Sequence, residues 1–361
     1  MKNVDVYSDE EFERLKQSYA KMNNSFERTL IFHVGTGAGL YSELGGMLEA
    51  MMWCYVNQVK FTLYADDATF ADKKGWNEFF DEFCELNHNP LNKRGNYRFK
   101  GQMIKIKGIL PFPVILPAIF SVFLRMTEKF RGGAIVKLLL TQDVFSKSIS
   151  NEFKLETHVK WDDFGIDGTV WPEYAKLKKF ALRYNSETLK EINKKIQSLN
   201  LPENYTSVQI RGGDKIIEHE KLIDVHEILD SIDKWELPIK NLFIFTDDYR
   251  KVEAVKKARP SWNIYTLCRE DEKGYYVDAF NKSEWSRRRE DIVKVFAMVE
   301  ICLNSDLHIG CPQTCVNNII RSAKSPEKYL ELNDTGVTRK DFEEGKKISA
   351  EIRKSEETNC C

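Results

Sequence analysis

Apolar and polar positions along this chain fall into two ordered tracts separated by a less regular middle. Asp9 to Asn23 has apolar residues at helical spacing among many charges. Thr29 to Val34 reads as a strand, Leu44 to Val56 as an apolar, methionine-rich helix, and Lys60 to Tyr64 as a second strand. Gly35-Thr36-Gly37-Ala38-Gly39 follows the first strand directly, so the pattern predicts a β-loop-α-β unit with a glycine-rich first turn. That is the layout of a nucleotide-binding half, although a G-x-G is also what an ordinary turn uses. From about Asp66 to Tyr174 the pattern is irregular, with Trp76, Phe79, Phe80 and Phe83 predicting one core helix. Leu177 to Leu199 reads as a lysine-rich helix.

The second tract alternates more regularly. Strands are predicted at Thr206–Ile210, Leu242–Thr246, Asn263–Leu267 and Leu307–Ile309, with helices at Val225–Trp235, Arg250–Ala258, Arg287–Asn304 and Asn317–Ala323. Pro260 ends the second of these helices. Strands alternating with helices predict a parallel sheet covered on both faces. Thr335 to Cys361 reads as a charged, weakly amphipathic helical tail ending in Cys360-Cys361.

Composition narrows the class. A chain of 361 residues suggests two domains. Its 42% hydrophobic and 30% charged residues are an ordinary globular balance. A formal net charge of −1 provides no basic field for nucleic acid. Eight scattered cysteines do not form a disulfide framework, and Cys311 and Cys315 lack the second pair of a zinc site. The polar, acidic Met1 to Glu13 stretch is not a secretory signal. Ile109 to Leu124 is the longest apolar run, but it is short for a span and carries Pro111, Pro113 and Pro117. The chain therefore reads as cytoplasmic, with residues 109–124 either buried or a peripheral contact to a membrane.

Parallel strands deliver their C-terminal loops to one edge of the sheet, where open α/β folds bind ligands. Three such loops carry chemistry here. Val208-Gln209-Ile210-Arg211-Gly212-Gly213-Asp214-Lys215 ends an apolar strand in two glycines and two cations suited to phosphate oxygens. Asp247-Asp248 could bind ribose hydroxyls, hold a metal or cap the following helix. Gln313 and Thr314 open a helix whose N–H groups can receive a phosphate. In Glu218-His219-Glu220, any member could act as general base or be solvated loop.

Taken in order, these segments resemble the α-1,6-fucosyltransferases. Gly37-Ala38-Gly39-Leu40-Tyr41-Ser42-Glu43-Leu44 and Gly75-Trp76-Asn77-Glu78-Phe79-Phe80 resemble the family's glycine loop, helix and G-W-x-x-x-F segment. Val208–Lys215 resembles its V-H-V-R-R-x-D-K motif, and Phe245-Thr246-Asp247-Asp248 its T-D-D strand end. Leu303-Asn304-Ser305-Asp306 through Gln313 and Cys315 resembles its L-S-x-A-D-F and S-S-Q-V-C segment. The likeness covers roughly residues 30–330, except about 85–175.

The resemblance implies an α/β protein of GT-B type, with two Rossmann-like domains facing across a cleft. Residues 1–185 would be the acceptor-side domain, with an irregular insert at 85–175, and 186–334 the nucleotide-sugar domain ahead of the 335–361 tail. It further implies an inverting transferase that uses GDP-fucose as donor, with a free or lipid-linked glycan acceptor, and no metal or other cofactor. Arg211 would grip the β-phosphate, and Gly37 and Gly39 would let backbone approach the diphosphate. Lys215 and Asp214 would lie near the sugar or acceptor, and Gln209, Asp247, Asp248, Gln313 and Thr314 would line the donor site. Glu218, with Glu220 behind it, would be the base. The family motif's second arginine is Gly212 here and its guanine-reading histidine is Gln209, while Met298 falls near its guanine-reading aspartate, with Glu300 or Asp291 as substitutes. Two alternatives stay open: a transferase for another nucleotide sugar, and a non-catalytic nucleotide- or glycan-binding protein.

Overall fold

In the computed structural model, which describes residues 4–35, 39–98, 131, 136–212, 224–311 and 314–332, the chain divides into two compact units, Asp5–Thr188 and a second beginning at Leu189. The first unit opens with α1 (Asp9–Asn23), whose N-cap Ser8 accepts from the Glu11 N–H at 3.2 Å. Phe12, Leu15 and Tyr19 form its buried stripe. Next come β1 (Arg28–His33), α2 (Leu40–Val56), β2 (Val59–Tyr64) and β3 (Leu138–Leu140). The strands make a parallel sheet in the order β2-β1-β3, with Leu30 opposite Phe61 on one side and Leu139 on the other. β3 leads into α3 (Thr141–Ser148), and an antiparallel hairpin follows from β4 (His158–Trp161) and β5 (Ile166–Thr169).

Two expectations for this unit are corrected. Trp76, Phe79, Phe80 and Phe83 are core residues, each 1% exposed or less, but they do not lie on a helix. Only Gly75–Glu78 makes a 3₁₀ turn, starting from Gly75 at φ +54°. Beyond it the chain runs extended, because Phe80 bridges Tyr184 and the Asp81 N–H donates to the Arg183 carbonyl at 2.9 Å. The helix expected over 177–199 is two helices, α4 (Ala175–Ala181) and α5 (Ser186–Ser198). Asn185 starts the second by accepting from the Thr188 N–H at 2.9 Å.

The second unit contains β6 (Thr206–Ile210), α6 (Val225–Lys234), β7 (Asn241–Thr246), α7 (Tyr249–Ala258), β8 (Asn263–Tyr265), α8 (Trp285–Asn304), β9 (Leu307–Gly310), α9 (Cys315–Ala323) and β10 (Tyr329–Glu331). All five strands are parallel, in the order β10-β9-β6-β7-β8. Counted from the unit's own first strand this is 3-2-1-4-5, the Rossmann order. Val208 and Ile210 pack with Ile228, Trp235, Leu242, Ile244, Leu307 and Ile309 in one apolar layer. Ser207 and Gln209, alternating with them along β6, belong to the opposite face, and both are also buried.

No helix among the described residues is long and apolar enough to cross a membrane. Residues 109–124, the insert from 99 to 130 and the 335–361 tail lie outside the described residues.

Candidate functional site

In a Rossmann sheet the strand order reverses beside the first strand, here between β6 and β9, and the crevice at their carboxyl ends is the ligand position. Gln209 stands one residue before the end of β6 and is 1% exposed. Its Oε1 accepts from the Thr314 hydroxyl at 2.6 Å, a bond that joins the two strands' ends across the reversal point. The amide is thereby oriented. Among the described residues its Nε2 has no partner. Thr314 occupies the N-cap position of α9, but its hydroxyl turns to Gln209 instead of capping the helix. The first N–H groups of α9 therefore lack that side-chain cap at the positive end of the helix dipole.

Behind this pair runs a second polar link. Ser207 and His308 are opposite one another in the β6–β9 register, and Ser207 Oγ lies 2.8 Å from His308 Nδ1. His308 Nε2 is 3.0 Å from Asn317 Oδ1, and Asn317 Nδ2 donates to the Cys311 carbonyl at 2.6 Å. Because the Asn317 oxygen is the acceptor, His308 carries its proton on Nε2 and accepts from Ser207 at Nδ1. Burial keeps the ring neutral and pushes its pKa down to about 3. The chain of bonds ties Cys311, just past β9, to α9.

On the other flank of β6, Arg211 Nη1 lies 3.2 Å from Asp247 Oδ2. Asp247 Oδ1 accepts from the Gly212 N–H at 2.9 Å, and its Oδ2 from the Tyr275 N–H at 3.1 Å. Asp247 thus ties the end of β6 to the loop after β8. A Cβ at Gly212 would stand 3.0 Å from Asp248 Cβ, so this close approach favours glycine where the fucosyltransferase motif has its second arginine. Asp248 takes the capping role left open by the sequence: it accepts from the Arg250 N–H at 3.1 Å and binds the Arg250 guanidinium at 2.8 and 2.6 Å. Burial alone would raise the Asp248 carboxyl, but these bonds outweigh it and hold the group below the usual range.

The remaining predicted residues separate by position. Gly39 is the N-cap of α2 in the first unit, where an added Cβ would meet nothing within 4 Å. Gly37, Asp214, Lys215, Glu218, His219, Glu220 and Gln313 lie outside the described residues. Met298 and Glu300 are buried on α8, at 2% and 3% exposed. Asp291 is engaged with Arg269 at 3.1 Å, Lys294 at 3.4 Å and Arg287 at 3.5 Å. Among the described residues, no three histidine, cysteine or acidic side chains form a group that could hold a metal ion.

Sequence reading missed the Ser207–His308–Asn317 link and a second histidine in the first unit. His33, the last residue of β1, directs Nδ1 at the Asn96 carbonyl at 2.5 Å and Nε2 at Asp67 Oδ1 at 2.8 Å. It ties the end of β1 to the loop after β2. Isolated histidines carry no spacing signal, so neither partner was legible.

These sheets and strand ends define a Rossmann-type α/β fold of GT-B-like architecture. The fold is that of the α-1,6-fucosyltransferases. The NodZ α-1,6-fucosyltransferase co-crystallised with GDP matches at a TM-score of 0.50 and 12% identity, over 85% of this chain and 96% of that one. The same enzyme soaked with GDP-fucose matches at 0.51 and 11%, over 86% and 96%. NodZ from Bradyrhizobium matches at 0.50 and 11%, over 86% and 97%. No protein-family model matches the chain, and no curated protein matches it by sequence.

Proposed function

We propose that this protein is an inverting glycosyltransferase that moves fucose from GDP-fucose to a hydroxyl of a glycan acceptor. One observation carries the reading: Gln209 with Thr314, the uncapped N-terminus of α9, and Arg211 held by Asp247 all stand at the carboxyl ends of β6, β7 and β9. Oriented donors and a cation at that edge suit a nucleoside diphosphate. In the reaction, the acceptor oxygen attacks the anomeric carbon and the bond from that carbon to the diphosphate breaks, with inversion. The acceptor proton passes to Glu218, with Glu220 behind it. Arg211 and the α9 N–H groups stabilise the departing diphosphate, as do Gln313 and Thr314. Lys215 and Asp214 position the sugar or acceptor, and Gly37 and Gly39 allow backbone to approach the phosphates. The chemistry calls for no metal. The protein would work in the cytoplasm, with 109–124 as a peripheral contact to a lipid-linked acceptor.

A second reading, a transferase for another nucleotide sugar, is favoured by Gln209. An amide N–H meets a uracil carbonyl as readily as a guanine carbonyl. A thermal-shift screen with GDP, UDP, ADP and CMP, with and without Mg²⁺, separates the two. At about 100 times its dissociation constant the cognate nucleotide stabilises by roughly 2.7 kcal/mol. Selective stabilisation by GDP, unchanged by Mg²⁺, is expected. Preference for UDP would keep the transferase and discard fucose, and silence from all four would overturn both. Turnover of GDP-fucose with candidate acceptors, abolished by Glu218→Gln with donor affinity retained, then separates an enzyme from a binding protein.

A further inference from the structure

Tyr275 and Tyr276 are 37% and 45% exposed, and they are the large apolar side chains that the second unit leaves exposed among the described residues. They do not stand on a loose loop. The Tyr249 N–H donates to the Glu272 carbonyl at 2.9 Å, and the Gly274 N–H donates to the Asp247 carbonyl at 2.7 Å. The Tyr275 N–H donates to the Asp247 carboxylate at 3.1 Å. Asp248 and Lys273 form an antiparallel bridge, and Gly274 at φ +112° makes the turn between bridge and tyrosines. The Tyr275 ring leans on Phe280, with centroids 5.5 Å apart. An aromatic pair is thereby fixed at the carboxyl edge of the sheet, and Asp247, which also holds Arg211, is its anchor.

We propose that Tyr276 is a stacking shelf for a sugar ring of the acceptor. The proposal rests on the glycosyltransferase reading for its geometry. Two observations select a sugar over the donor's base. First, the buried, oriented Gln209 amide that can meet the edge of a base lies on the β9 flank of Arg211, whereas the tyrosines lie on the β7–β8 flank. Second, the shelf is half open to solvent, which suits a ring belonging to a longer chain that continues away from the protein. An aromatic face covers the C–H side of a pyranose, and a loop already tethered by backbone bonds loses little freedom on binding.

The test uses the full chain, as wild type, Tyr276→Phe and Tyr276→Ala, on a printed array of defined oligosaccharides with GDP in excess. GDP melting shifts are measured in parallel. Wild type and Tyr276→Phe should retain the same glycans, Tyr276→Ala should lose about tenfold in retained signal, and all three should respond equally to GDP. Equal retention by Tyr276→Ala would overturn the proposal, as would an array on which wild type retains nothing while responding to GDP. Loss of the GDP shift in Tyr276→Ala alone would also overturn it, since the ring would then stack the base. If wild type retains glycans in a Tyr276-dependent way but ignores GDP, the shelf stands and the donor reading falls.

Discussion

At the scale of single residues, Arg211 carries the firmest expectation. Its guanidinium is held by Asp247 at 3.2 Å, and under the proposed function it would meet the donor diphosphate from that position. Replacing it with alanine removes a charge-assisted contact worth about 1.5–3 kcal/mol. Donor affinity or turnover should fall by roughly 10- to 150-fold, because 1.4 kcal/mol is a factor of about ten. Isothermal titration with GDP and steady-state kinetics check this, and a variant unchanged in both would remove Arg211 from the phosphate site. Thr314 gives an independent expectation. Thr314→Val leaves Gln209 Oε1 buried without its 2.6 Å donor, which should cost about 1–3 kcal/mol of stability. Thr314→Ser keeps the hydroxyl and should recover most of it. Equal urea midpoints for the three proteins would mean that the bond contributes nothing.

At the scale of elements, the polar link between β9 and α9 makes stability depend on acid. The unfolded chain binds a proton at His308 near the ordinary pKa of about 6.5, whereas the folded chain resists it until about 3. Between those values the unfolded state holds more protons, so stability rises with pH there and is complete above about 6.5. Each pH unit below that value should cost wild type up to about 1.4 kcal/mol more than it costs His308→Gln. Denaturant melts at pH 7.5 and 5.5 test the sign, and parallel behaviour of the two proteins would contradict it. In the first unit, Gly35 sits at φ +136° with an added Cβ only 2.8 Å from the Asp67 carbonyl oxygen. Gly35→Ala should therefore destabilise by about 1–3 kcal/mol, readable in the same melts. In the second unit, β7 was legible because it is buried on both faces and reads as an apolar run, and β6 because Val208 and Ile210 alternate with Ser207 and Gln209. β3 and β10, of three residues each, were not read as strands, although the equally short β8 was. The aromatic run at 76–83 was read as core correctly and as helix wrongly. Burial follows from residue type, whereas the extended path is imposed by pairing with Tyr184, a hundred residues away in sequence. The strand-end residues were visible as a group, but the division of labour between Asp247 and Asp248 depends on which neighbour each carboxylate turns to.

At the scale of the whole molecule, the two sheets make different demands on a ligand. The crevice between β6 and β9 belongs to the second unit alone, so a nucleotide bound there should act first on that unit's strand ends. Hydrogen exchange with saturating GDP should slow the backbone amides of residues 209–212 and 314–318, where the strand end and the first turn of α9 face the proposed diphosphate. Amides in the middle of β1 and β2, such as Leu30 and Phe61, are already paired in the register of the first sheet and should exchange as before. Protection of the β6 and α9 segments that persists in EDTA would place the diphosphate without help from a cation. Protection that appears only with Mg²⁺ would instead require ligands from acidic side chains, and Asp247, already bonded to Gly212, Tyr275 and Arg211, would have to release one of them. Exchange slowed equally in both units would mean that GDP stabilises the fold globally, and the crevice would lose its claim to the ligand.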